Sequence, residues 1–156
     1  MAPPTSPATL TSTVLAAASA ASAADGDAFT EAVAALSALD EDQVRTVLGW
    51  VLRGELEELH PDGLGADDLR EVVGRVSRAA LPWFPGTDPQ VCVVALTGAF
   101  GEHPEADGEP RLPHPGVVAH SVLLAEDLAR ASGRPLARHL EAALAEVRRA
   151  ETMEMP

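Results

Sequence analysis

From Glu41 to His60 the chain reads EDQVRTVLGWVLRGELEELH, and its apolar residues fall at Val44, Val47, Leu48, Val51, Leu52, Leu56 and Leu59. Steps of three and four residues are the period of one buried helical face, so this segment predicts an amphipathic helix with Asp40 as its N-cap. Glu41, Asp42, Glu55, Glu57 and Glu58 fall between those positions and are read as its wet side. His60-Pro61-Asp62-Gly63 ends it, because proline cannot continue a helix and glycine accepts the left-handed turn.

The same period recurs at lower amplitude on both sides. Phe29, Val33 and Leu36 predict a helix capped by Asp27, and Leu69, Val72, Val73, Val76 and Ala80 predict one opening at Ala66 or Asp67. LPWFPGTDP carries three prolines and breaks the chain, after which Asp88-Pro89 has the form of a helix start. QVCVVALTGAF is apolar nearly all round and is expected to be a buried central helix near 88–100. Pro115 restarts a helix through Val117, Val118, Leu124 and Leu128 to Gly133. Pro135 opens the last, with Leu136, Leu140, Ala143, Leu144 and Val147 on one side.

TLTSTVLAAASAASAAD, by contrast, has little apolar bulk per turn. Alanine favours helix, yet anchors it weakly, so residues 9–25 are expected to form a weakly anchored helix or an arm. No segment alternates with period two. The expectation is an all-α bundle of six to seven helices: a proline-rich tail over 1–8, one helical domain over 9–150 and a short tail over 151–156.

Composition narrows the function. The formal charge of −13 disfavours nucleic acid and anionic membranes, both of which select clustered cations. No apolar run approaches the roughly 20 residues that span a bilayer. The chain has no Lys, Ile, Asn or Tyr, the compositional mark of a high-GC bacterial genome. Lacking Lys and Tyr, it has no Schiff-base lysine and no tyrosyl acid. The lone Cys92 excludes an internal disulfide and suits a reducing compartment; with no charged leader before Arg45, the expected location is the cytoplasm.

Candidate chemistry is thin. GEHPEADGEPRLPHPGVVAH, from Gly101 to His120, holds three of the five histidines. His103, His114 and His120, with Glu102, are the only residues resembling a metal site, and their spacing matches no familiar ligand pattern. Cys92 sits among valines and reads as a small buried hydrophobe. His120-Ser121 are helix neighbours and point too far apart to act as base and nucleophile. No cofactor is implied.

Charge is segregated. Asp40 to Glu71 carries ten acids against three arginines, while Arg111 to Ala150 carries six arginines against four acids. Trp83-Phe84 lies between prolines, a stiff setting for an aromatic anchor. The leading expectation is therefore a non-enzymatic protein acting through protein–protein contacts, with a basic partner or by self-association of its acidic and basic faces. The expected contact residues are Glu41, Asp42, Glu55, Glu57 and Glu58, then Asp67, Asp68 and Glu71, together with Trp83 and Phe84. A more specific form is an inhibitor or immunity-type protein that neutralises a basic enzyme. The alternatives are a metal-dependent enzyme or sensor built on the three histidines and Glu102, and a small-ligand pocket between helices.

Overall fold

The structure, a computed structural model, describes residues 4–101 and 112–154. Seven helices account for most of them, with no strand among the described residues: α1 (Pro7–Ser22), α2 (Gly26–Ser37), α3 (Glu41–Leu59), α4 (Ala66–Ala80), α5 (Pro89–Ala99), α6 (His114–Ser132) and α7 (Leu136–Glu154). No described helix is long and apolar enough to cross a membrane.

Local chemistry sets the boundaries. Asp40 accepts a hydrogen bond from the Gln43 amide at 2.9 Å, and Asp88 accepts one from Gln90 with Pro89 in the first turn. The cap of α2 is Asp25, not Asp27, accepting from the Ala28 amide at 3.1 Å; Asp27 lies in the first turn, where a carboxylate also suits the helix dipole. Gly65 begins α4, and Asp68 reaches back to accept the Gly65 amide at 2.8 Å. Gly133, at φ 74°, closes α6 in the left-handed conformation. Ala24 takes the same conformation at φ 55° after α1, where the Asp25 amide bonds the Ala20 carbonyl and the Ala24 amide bonds that of Ala21.

The alanine-rich segment is an ordered helix on the core. Leu10, Val14, Ala17, Ala18 and Ala20 of α1 are buried against α2, α6 and α7. It starts at Pro7, capped by the Ser6 hydroxyl. Thr5 exchanges two 2.8 Å hydrogen bonds with the Gln43 side chain of α3. At the other end α7 continues to Glu154, past the boundary expected at 150.

The centre of the bundle is α6, not the 88–100 segment. All eight residues from Val118 to Ala125 are buried, and α6 packs on each of the other six helices. Small residues at Ala119, Ser121, Ala125 and Ala129 let neighbours approach on several sides. In α5 only Cys92, Ala95 and Leu96 are buried, and Val93 is 39% exposed. An all-apolar run carries no directional signal, and eleven residues are too few to thread the bundle. The valines therefore cover one flank of it.

Candidate functional site

The acids of α3 and α4 were expected to form an open face, but the fold gives most of them internal partners. Glu57 meets Arg53 at 2.9 Å, Glu58 meets Arg134 at 3.1 Å, and Glu71 lies 3.9 Å from Arg75. Asp67 pairs with Arg70, Asp68 caps α4 beside His60, and Glu41 lies 3.6 Å from Arg45 and 3.8 Å from His114. Asp42 is exposed. Such surface pairs add little stability, but they shorten the reach of each acid's field.

Three of the expected contact residues are placed otherwise. Glu55 is fully enclosed at 0% exposure, because it follows Val51 by four and Leu52 by three and so lies within the buried stripe. Trp83 and Phe84 are half-buried and pack on the enclosed Phe29. Both rings sit edge-on to it at 5.2 Å between centroids, so they join α2 to the loop before α5 instead of projecting as anchors.

Of the metal candidates, Glu102 and His103 lie outside the described residues. His120 is buried and committed to the fold. Its Nδ1–H donates to the Gly116 carbonyl at 2.7 Å, and its Nε2 accepts the Asp88 amide at 2.9 Å. That leaves no lone pair for a metal, and burial lowers its pKa from the ordinary value. His114 Nδ1 accepts from Arg45 Nε at 3.2 Å, a bond that ties α6 to α3. Among the described residues no group of three His, Cys, Asp or Glu side chains is placed to hold a metal ion.

Glu55 is the most perturbed group. Burial, reinforced by Glu126, Asp127 and Glu58, pushes its pKa up to about 10, so it is a neutral acid at pH 7. Neither of its oxygens has a hydrogen-bond partner among the described residues. His139 Nε2 lies 3.9 Å from one oxygen and 3.2 Å from the Ser132 hydroxyl. The residue types are those of a Ser-His-Glu relay, but the geometry is not. Both contacts converge on one imidazole nitrogen, and the Ser132 hydroxyl donates to the Ala129 carbonyl while accepting the Arg134 amide. The cluster is structural.

What the sequence reading missed is Trp50. It lies just off the buried stripe of α3, half-buried, at the ridge between two clefts that it lines together with Arg53. The clefts measure about 310 and 440 Å³. The smaller, toward α5, is bounded by Arg45, Gly49, Gly98 and Phe100. Close approach of α5 to α3 depends on Gly49, since a Cβ there would sit 3.7 Å from the Ala99 Cα. The larger, toward α7, is bounded by Gly54, Glu57, Glu58, Arg134, Arg138 and His139. The Arg53 guanidinium carbon lies 5.6 Å from the Trp50 ring centre and 5.8 Å from that of Phe100, within cation–π range of both. The available signal was Trp50 followed three residues later by Arg53, one turn apart on a face otherwise rich in acids.

No protein-family model matches this chain, and no curated protein or solved structure is significantly similar to it.

Proposed function

We propose that this is a non-enzymatic protein working through protein–protein contacts, and that the Trp50 ridge of α3 is its contact face. The observation that carries the reading is the placement of Trp50, Arg53 and Phe100 together at the surface between two clefts. Tryptophan and arginine are the residue types that dominate binding energy when a partner excludes water from them. The stacked rings also hold the arginine in place, which lowers the entropy lost on docking. Four of the chain's eleven arginines, Arg45, Arg53, Arg134 and Arg138, line these two clefts, while the acids of α3 and α4 are mostly paired within the chain. That distribution favours the ridge over the acidic face as the point of contact.

The test is capture from the native host by tagged wild-type protein and by a Trp50→Ala, Arg53→Ala variant with unchanged circular dichroism and melting temperature. A stoichiometric partner held by the first and lost by the second is the expected result. A partner retained by the variant refutes the assignment of the face.

Small-ligand binding is a second reading, supported by a predominantly apolar groove of about 590 Å³ between α2 and the first turns of α6, walled by Val33, Ala34, Phe84 and Ala119. Ala34→Trp would fill it. Wild-type protein that brightens an apolar dye no more than that variant rules this reading out.

A further inference from the structure

We infer that the segment docking on the Trp50 ridge is an acidic one, a stretch of protein that sets an apolar side chain beside Trp50 and carboxylates on the flanking guanidinium groups. The inference rests on the proposed contact face and adds the chemistry of its occupant.

Charge complementarity carries it, read group by group. In the smaller cleft Arg45 and Arg53 are the only charged lining residues among those described. In the larger cleft all three acids already have arginine partners: Glu57 with Arg53, Glu58 with Arg134, and Glu146 with Arg149 at 2.7 Å. What those pairs leave over is positive. Arg53 meets Glu57 through Nε, which leaves both terminal amino groups facing outward along the aromatic rings. Arg138 is exposed and has no acidic partner among the described residues. A terminal guanidinium edge presents paired donors to a carboxylate, and those charge-assisted bonds strengthen once the rim is dry.

A basic segment would meet the opposite situation, bringing its cations against Arg45 and Arg53 with no acid free to receive them. The net charge of −13 repels an acidic partner at long range. At physiological ionic strength that field is screened beyond about 8 Å, so the groups in direct contact decide the outcome. The local arrangement therefore outweighs the global one.

The experiment uses the full chain with Trp83→Phe, which leaves Trp50 as the sole tryptophan and keeps a ring on Phe29. Three synthetic amphipathic peptides of about 15 residues, roughly 22 Å as helices, share one leucine stripe and differ only in carrying Glu, Gln or Lys on either side of it. Trp50 emission is titrated with each at about 150 mM salt, where the screening length is near 8 Å. The Glu peptide is expected to saturate with a Kd about tenfold below that of the Gln peptide, and the Lys peptide to be weakest of the three. Arg53→Gln and Arg138→Gln are each expected to erase most of that advantage, whereas Arg148→Gln, away from both clefts, leaves it intact.

Equal binding of the Glu and Gln peptides, tighter binding of the Lys peptide, or no saturation by any of them overturns the inference. So does a loss that is the same for Arg148→Gln. If the native partner proves to need Trp50 but not Arg53 or Arg138, the contact face stands and its acidic occupant does not. Sedimentation of the protein alone covers the remaining source: self-association abolished by Arg53→Gln supports the inference and makes the acidic segment part of a second copy.

Discussion

Replacing Glu55 by glutamine should flatten the dependence of stability on alkaline pH. The Glu55 carboxyl is held protonated to about pH 10 in the folded protein, whereas its ordinary value is 4.5. Between those limits the folded state binds one proton more than the unfolded state. Stability from this group is therefore full below pH 4.5 and is lost as pH rises toward 10, at about 1.36 kcal/mol per pH unit. From about pH 7 to about pH 8.5 the wild type should lose about 2 kcal/mol, or about 4–8 °C in Tm for a chain of this size. Glutamine cannot titrate, so the variant should lose about 2 kcal/mol less over that interval. Its absolute stability is a poorer readout, because a buried amide brings polar atoms that also lack partners.

Urea denaturation of both proteins across that range gives the comparison. Contributions from histidines and Cys92 are common to the two and cancel in the difference. Parallel curves would refute the reasoning, since they would mean that folding leaves the proton affinity of Glu55 unchanged. His139→Gln separates two placements of the same proton. A slope that survives this change leaves the proton on Glu55, and one that vanishes assigns it to the imidazole.

Other outcomes follow from single positions. Ala24→Gly should stabilise the fold by about 0.5–1 kcal/mol by relieving the left-handed alanine after α1, read as a higher urea midpoint. Gly26→Ala should cost about 1–2 kcal/mol, because its Cβ would lie 2.7 Å from the Trp83 carbonyl oxygen; an unchanged midpoint would show that the loop yields freely. Gly54→Ala should stabilise α3 by about 1 kcal/mol, since nothing lies within 4 Å of the added methyl. His120 should remain neutral in the folded protein at pH 6 as the Nδ1–H tautomer, visible in nitrogen-15 spectra. Because its folded pKa lies below the unfolded one, stability it supplies at neutral pH is lost as pH falls below about 6.5.

The helices were readable where side chains differ in character from one face to the next. The stripe from Val44 to Leu59 locates α3 to within a residue, and Asp88-Pro89 gives the start of α5. The period failed where that contrast fades. The valines of α5 say nothing about direction, so a flank was taken for a centre. The all-round burial of α6 arises from alanines and a serine that hydropathy ranks as indifferent. Glu55 was misplaced for the opposite reason: its spacing puts it inside the stripe, and its charge argued it out.

The contact ridge was legible only in part. Trp50 and Arg53 are visible as a one-turn pair, but Phe100 joins them from another helix, and no spacing along the chain encodes that meeting. Nor can sequence show which acids already have arginines. That depends on pairs such as Glu58 with Arg134, brought together only when α7 folds back on α3.

The alanines of α1 have a consequence for how this protein tolerates change. Ala17, Ala18 and Ala20 fill their share of the interior with single methyl groups, so any larger replacement there acts as a wedge between neighbouring backbones. The same economy of volume means that detaching α1 uncovers little oil for its length, at about 0.8 kcal/mol per buried methylene. The stretch that admits new bulk least readily is thus also the one that should come loose first, with its amide protons exchanging ahead of those in α3 and α6.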